Sequence, residues 1–545
     1  MKNRIIVLFY GAVALWALGT DLLHAQVRPP MPVILISVDT LRADRLSSYG
    51  YRGVTTAGID AMARGGTIFS QASSQAPLTL PSHVSLLTST FPFTNGVRDN
   101  GEQVGANLVG LAGILKSRGY RTAAFVGGFV LDRRFGMDTG FDTYDSPFDL
   151  NGAQGADSSD LKRPADEVTA AAIRWVDANS SQPFFLFLHL FDLHTPYILP
   201  AAARARFPNS GYDAALSYAD AALGRFWNFL EKKGLPKKAL IIFLADHGES
   251  LGDHGERTHG FFVYQSTMRV PLIFHWPEGS STFPARVDHP VSLLDVAPTI
   301  LDFLGAPRPP QFQGRSLLEF VRQKGPFADR EVYTESLYAS NHLGCAPLLG
   351  MRVGRYKYID APKPELYDLT QDPGEARNIY TSQKANATPL ARKLSNVRSL
   401  SKSPQAGRKT PSPEVVARLR SLGYLASSAS TAPAAGAGVD PKDKIAAYEQ
   451  SRQAIAITLS GKYAESVPLF ESVLSKNPEF LDARNILGLT LQKLGRHDDA
   501  IGSFRKVLEK DSLNLSAHYN MAVTYTDLDR LDDAVKELEA TLAIA

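Results

Sequence analysis

Three apolar, strand-like runs in this chain end in an acid: "PVILISVD" (32–39) in Asp39, "PFFLFLHLFD" (183–192) in Asp192 and "ALIIFLAD" (239–246) in Asp246. Open α/β sheets bind ligands beyond the carboxyl ends of their strands, so these carboxylates are expected to converge on one site. His247 follows Asp246 directly, and "ADHGESLGDHGERTHG" (245–260) adds His254 and His259. Neighbours on a regular strand face opposite ways, so Asp246 and His247 reach one ion only if the chain turns there, which Gly248 permits. A hydroxyl enters from "APLTLPSHVSLLTST" (76–90). With Pro81 as the first helical residue, Thr79 and Leu80 sit at the mouth of a helix, where unpaired N–H groups and a partial positive charge hold an oxyanion. The alternative is that Thr79 merely caps that helix. Carboxylates, an imidazole and a hydroxyl together suit a divalent cation such as Ca, Mg, Mn or Zn.

The elements that must position these residues alternate from Pro32 to about Tyr380 between apolar strands, "TAAFVGG" (122–128) among them, and longer helical patterns. Continuous apolar strands are covered on both faces, as in an α/β sheet. Residues 381–444 read as a linker: the chain turns polar and basic, then runs through the small-residue tract "ASSASTAPAAGAGVDP" (426–441). Beyond it, Ala500 and Ala534, Leu487 and Met521, and Phe470 and Phe504 each lie 34 residues apart. That period resembles the tetratricopeptide repeat, so residues 445–545 are expected to hold about three copies in an all-α domain that binds a protein partner on its concave face.

At 545 residues the chain calls for two or three domains, and 44% hydrophobic with 21% charged residues is a globular composition. A net charge of +3 gives no field for nucleic acid. Lys2 and Arg4 precede the apolar stretch 5–19, and a signal peptide over residues 1–25 follows from that pattern, with an uncleaved membrane anchor as the alternative. Export to the periplasm or the extracellular space is the expectation. The single cysteine, Cys345, excludes an intramolecular disulfide and a cysteine-rich zinc site.

Taken in order, "ILISVDTLRADRLSSYGY", "TLPSHVSLLT", "FDLHTPY", "ADHGESLGDHG", "VSLLDVAPTILDFLG", "FQGRSL", "GRYKYI" and "PELYDLTQDPGEARN" resemble the sulfatase family of the alkaline-phosphatase superfamily over roughly residues 32–380. The resemblance implies an alkaline-phosphatase-like α/β/α sandwich with a small C-terminal antiparallel subdomain, here a catalytic domain over 30–380. Carried over residue by residue, it makes Asp39, Thr79, Asp246 and His247 metal ligands and Thr79 the nucleophile. His194 matches a histidine on the ester's nonbridging oxygens. His259 falls near a family lysine that binds the substrate anion, or acts as general acid, and His83 replaces a family arginine. One metal is favoured over two. The two-metal alternative draws on Asp192, His194 and His259.

Departures from the family pattern select the chemistry. A formylglycine sulfatase needs cysteine or serine in Cys/Ser-x-Pro-x-Arg; the corresponding residues are Thr79, Pro81 and His83. Threonine cannot yield that aldehyde. Together with Thr40 after Asp39, and His247 where asparagine is usual, this points to the phospho-branches of the superfamily: phosphodiesterases, and the lipoteichoic-acid synthase and phosphoethanolamine transferase enzymes. The expected activity is cleavage of phosphate (di)esters, as hydrolase or transferase, by a metal-activated threonine. The alternatives are sulfate ester hydrolysis without formylglycine, and a repeat scaffold whose catalytic domain is idle.

Other candidates have plainer readings. His254 either touches the substrate or braces its glycine-rich loop. His189 reads as core, His342 and Cys345 as a structural loop, His497 and His518 as solvent-facing, and Tyr356, Lys357 and Tyr358 as a packed strand. Asp295 orients a loop before a helix.

Overall fold

The structure, a computed structural model, describes residues 30–148, 161–280, 282–323, 325, 327–400, 415, 419 and 438–544. The signal peptide or anchor expected over residues 1–25 lies outside them. Among the described residues no helix is long and apolar enough to cross a membrane.

The large sheet is built from β1 Val33–Val38, β2 Thr67–Ser73, β3 Arg121–Val126, β4 Thr143–Asp145, β5 Phe184–Leu190, β6 Leu240–Leu244, β7 Arg269–Val270, β8 Leu272–His275 and β9 Arg286–Ser292. Its order is β4-β3-β5-β1-β6-β8-β2-β7, with β9 paired to β2. β1 lies between β5 and β6 and is parallel to both, with Ser37 opposite His189 on one side and Leu244 on the other. The carboxyl ends of these three strands therefore lie side by side. Every residue of β1, β5 and β6 is buried, as unbroken apolar runs require. Helices 165–179 and 211–232 present apolar stripes such as Val168, Ala172, Val176 and Leu216, Leu223, Leu230 to this core.

The apolar runs overshoot the strands they mark. Asp39 lies one residue past β1, and Asp192 and Asp246 lie two past β5 and β6, so all three acids are on loops at the strand ends rather than in the ladder. The helix after β2 runs Thr79–Thr88, which makes Pro81 its third residue and not its first. That position is equally free of an i→i−4 demand on its nitrogen, so proline is tolerated there too.

A second, antiparallel sheet follows: β10 Glu331–Ser336, β11 Leu348–Val353, β12 Tyr356–Asp360 and β13 Glu365–Asp368. The expected linker is corrected at its start. Residues 384–398 form a helix that buries Ala387, Leu390 and Leu394 against Tyr333, Met351 and Leu366 of this sheet. Its low overall hydrophobicity hides a three-residue apolar stripe, which is enough to dock a helix on a sheet. Tyr356, Lys357 and Tyr358 lie in β12 as expected; Lys357 Nζ pairs with Glu375 at 2.7 Å.

Six helices, Ile445–Leu459, Tyr463–Lys476, Leu481–Lys493, His497–Leu508, Leu515–Asp527 and Leu531–Ile544, make three hairpins of the tetratricopeptide type. The repeated positions are the packed ones: Phe470, Ala500 and Phe504 are fully buried. Gly488 is small by need, since a Cβ there would meet Phe504 Cε1 at 2.4 Å. The first of these helices packs on the catalytic domain, with Tyr448 buried against Phe261.

Candidate active site

Thr79 is the first residue of its helix and does not cap it; no side-chain cap bond forms, and the hydroxyl turns to the strand ends. Its Oγ1 donates to Asp39 Oδ2 at 3.0 Å and lies 3.3 Å from His247 Nε2. The expected oxyanion cradle is smaller than the helix mouth suggests, because Asn100 Oδ1 accepts from the Leu80 N–H at 2.9 Å.

Asp246 and His247 follow the end of β6, and the chain does turn there. Gly248 N–H donates to Thr267 O at 2.7 Å, and a Cβ on Gly248 would stand 2.2 Å from Ser266 O. Close backbone approach, not a left-handed φ, is what requires glycine here.

One oxygen, nitrogen or carboxylate atom from each of Asp39, Asp246 and His247 lies within 4.8 Å of the others, all buried. Asp39 Oδ1 and both oxygens of Asp246 lack a hydrogen-bond partner. His247 Nδ1 donates to its neighbour's carbonyl, Gly248 O, at 3.0 Å, which leaves the lone pair on Nε2. That lone pair faces Asp246 Oδ2 at 3.4 Å and Thr79 Oγ1 at 3.3 Å. Burial raises the Asp39 carboxyl above its ordinary range and raises Asp246 well above it, the latter with help from the Asp39 charge. Burial also drives the His247 imidazole down to about 3, so it is neutral. Two carboxyl groups and an imidazole lone pair gathered this closely in a buried site fit a divalent cation, and the O/O/N donor set suits the ions named from the sequence.

Two further histidines flank this cluster. The His259 ring centroid is 4.5 Å from that of His247 and 5.0 Å from that of His194. His259 Nδ1 meets Glu249 Oε1 at 3.1 Å, and burial lowers its imidazole to about 4. His194 stacks on Phe191 at 4.5 Å and donates from Nδ1 to Thr195 O at 2.5 Å. The structure therefore brings together Asp39, Thr79, Asp246, His247, His194 and His259.

Two residues read as substrate contacts are engaged elsewhere. His83, one turn after Thr79, points inward: Nδ1 donates to Thr79 O at 2.8 Å, and Nε2 accepts from Ser37 Oγ at 2.9 Å. It is fully buried and braces the helix start from behind, 3.5 Å from Asp246 Oδ2. His254 stacks on Tyr264 at 3.7 Å, and its Nε2 donates to Gly374 O at 3.1 Å, so of its two sequence readings the structure takes the brace. Asp192 is likewise committed, accepting from Ala165 N at 3.0 Å at the start of helix 165–179, with burial raising it to about 7. His342 and Cys345 are structural: His342 Nε2 meets Asp99 Oδ2 at 2.8 Å, and burial pushes the Cys345 thiol up to about 12. Asp295 takes part in a capping box with Ser292 before helix 296–303 and meets Arg330 Nη1 at 3.0 Å.

Sequence reading missed three members. His189, read as core, lies 3.5 Å from Asp39 Oδ2, with neither ring nitrogen hydrogen-bonded. Its place opposite Ser37, two residues before Asp39, was the available signal. Lys162 donates to His194 O at 2.5 Å and Pro196 O at 2.8 Å, and burial brings its ammonium down to about 7. Nothing local marks it, because it arrives from a loop before helix 165–179. Glu249 was passed over within the histidine-rich segment; it is fully buried, and burial raises its carboxyl well above the ordinary range.

Comparison with known proteins identifies the family and the fold. The sulfatase family model matches residues 32–306, a model for the C-terminal part of N-sulphoglucosamine sulphohydrolase matches 252–400, and one for anaphase-promoting complex, cyclosome, subunit 3 matches 460–541. An ulvan-active sulfatase of Formosa agariphila is 24% identical over 65% of this chain and 78% of its own length. Arylsulfatase K of Bos taurus is 25% identical, over 68% and 82%. Among solved structures, the phosphonate monoester hydrolase of Agrobacterium radiobacter shares the fold at a TM-score of 0.56 and 22% identity, over 68% of this chain and 96% of that one.

Proposed function

We propose that this chain, which belongs to the sulfatase family of hydrolases, cleaves phosphate esters, diesters foremost, with Thr79 as its nucleophile. The observation that supports this reading is the position of Thr79 Oγ1, 3.0 Å from Asp39 Oδ2 and 3.3 Å from His247 Nε2, at the place where the formylglycine enzymes need cysteine or serine. The only cysteine is buried in the loop after helix 338–343.

Asp39, Asp246, His247 and Thr79 would hold the divalent cation, which, when bound, lowers the hydroxyl pKa and offsets charge on the ester oxygens. Asp39 Oδ2 accepts the Thr79 hydroxyl hydrogen and so aims an oxygen lone pair away from the carboxylate, toward the ester. Thr79 Oγ1 then forms a bond to phosphorus as the bond to the leaving-group oxygen breaks, and the hydroxyl proton passes to Asp39 Oδ2, which later returns it. His194 and His259, whose rings adjoin each other beside that of His247, bind the nonbridging oxygens as neutral N–H donors, and water supplies a proton to the departing oxygen. A water or an acceptor alcohol finally takes the phosphoryl group from Thr79, which recovers its hydrogen.

A second reading, sulfate ester hydrolysis at the same residues, is favoured by the relatives, which include sulfatases of both bacteria and animals. Purified full-length protein with each divalent cation in turn, offered an aryl phosphodiester or an aryl sulfate, separates the two. Faster turnover of the phosphodiester, lost in Thr79→Ala, supports the first reading; robust sulfatase activity lost in the same variant supports the second. Export is proposed with the enzyme, on the strength of Lys2, Arg4 and the apolar stretch 5–19. The concave face of the repeats is proposed to take a protein partner.

A further inference from the structure

The repeat module meets the catalytic domain at the loop that carries His259. Ile445 abuts Gly255, and Glu449 Oε1 accepts from the Arg257 N–H at 2.9 Å. Tyr448, buried to 1% exposure, packs on Phe261 with ring centroids 4.8 Å apart, and its hydroxyl meets that of Tyr338 at 3.5 Å. One turn along the same helix, Arg452 Nη1 donates to Thr258 Oγ1, and its guanidinium lies 5.9 Å from the Tyr448 ring centroid. Loop 256–261 is thus held residue by residue from the repeat side: Arg257 by Glu449, Thr258 by Arg452 and Phe261 by Tyr448.

The catalytic domain anchors the same loop from within. Glu256 Oε1 accepts from Phe261 N–H at 2.8 Å, and Ser250 N–H donates to Thr258 O at 2.7 Å. His259, between these anchors, pairs with the buried Glu249.

We propose that Arg452 is a positioning residue of the active site: through Thr258 it fixes where His259 stands, so the first repeat helix is a working wall of the catalytic unit rather than a tethered docking module. The proposal rests on the reading of His259 as a substrate-facing group. Its consequence is that whatever binds or shifts the first repeat acts on catalysis through one side chain.

Full-length protein assayed with bis(4-nitrophenyl) phosphate tests it. Arg452→Ala lowers kcat/KM about tenfold, the scale of losing a residue that orients a working group, and Arg452→Lys, which keeps a charged donor, recovers part of the loss. In a His259→Ala background the Arg452→Ala change alters kcat/KM by less than about twofold, since coupled residues are not additive. Wild-type turnover in Arg452→Ala, or a full further loss on top of His259→Ala, overturns the proposal while leaving the Thr79 reading intact. If the wild-type chain turns over neither phosphate nor sulfate esters, the functional reading fails instead. Hydrogen exchange then decides the structural part: faster exchange confined to loop 256–261 in Arg452→Ala supports it, and unchanged exchange there refutes it.

Discussion

His247 Nε2 and Asp246 Oδ2, from adjacent residues, face each other across 3.4 Å in a fully buried site. The Gly248 carbonyl holds the imidazole hydrogen on the far nitrogen, so the Nε2 lone pair is turned to the carboxyl group. An arrangement of that kind is costly alone and favourable around a cation.

The first prediction follows from that cost. Asp246→Asn removes one of two carboxyl groups whose charges oppose each other, so the metal-free variant melts at or above the wild-type temperature. Adding the preferred divalent cation raises the wild-type melting temperature, a linkage worth about 2.7 kcal/mol at a hundredfold excess over Kd, and raises that of Asp246→Asn hardly at all. Calorimetry with and without chelator reads both effects. An equal metal response in the two proteins would remove Asp246 from the ligand set.

Gly248→Ala tests the turn. Its Cβ would stand 2.2 Å from the backbone oxygen of Ser266, and a backbone contact cannot rotate away. The expected loss is about 1–3 kcal/mol of stability, together with weaker metal binding because His247 is displaced. Melting temperature and metal titration check it; a variant with unchanged values in both shows that the loop yields freely.

His342 predicts a pH dependence at the junction of the two domains. Burial opposes its charged form, but Asp99 at 2.8 Å and Asp482 at 3.7 Å prevail and raise it to about 9 from an ordinary 6.5. A group whose folded value is raised contributes stability that is complete below 6.5 and is lost as pH rises to about 9. The melting temperature of the wild type is expected to fall across that window, and that of His342→Gln to fall less. Parallel curves for the two proteins contradict this assignment.

How much of this was legible in the sequence depended on whether a residue's partners were local. The acids ending the β1, β5 and β6 runs were readable because unbroken apolar strands and terminal acids are local patterns, and 34-residue spacing exposed the repeats in the same way. His83 was misjudged because its direction is set by helix phase: one turn beyond Thr79, it faces Ser37 rather than a bound substrate. Helix 384–398 was missed because its apolar stripe is short and its partner, the small sheet, is distant in sequence. Arg452 and Lys162 carry no local mark at all; only the tertiary fold brings them to Thr258 and to His194.

The proposed chemistry turns on the bond between Thr79 and the transferred group. Mass spectrometry of the Thr79 peptide, after quenching His259→Ala protein during turnover of an aryl phosphodiester with its cation present, tests that most directly. The expected result is a phosphoryl-derived adduct on Thr79 that is absent without cation and absent in Asp246→Asn. Undiminished ester cleavage by Thr79→Ala, with Thr79 unmodified throughout wild-type turnover, would contradict it.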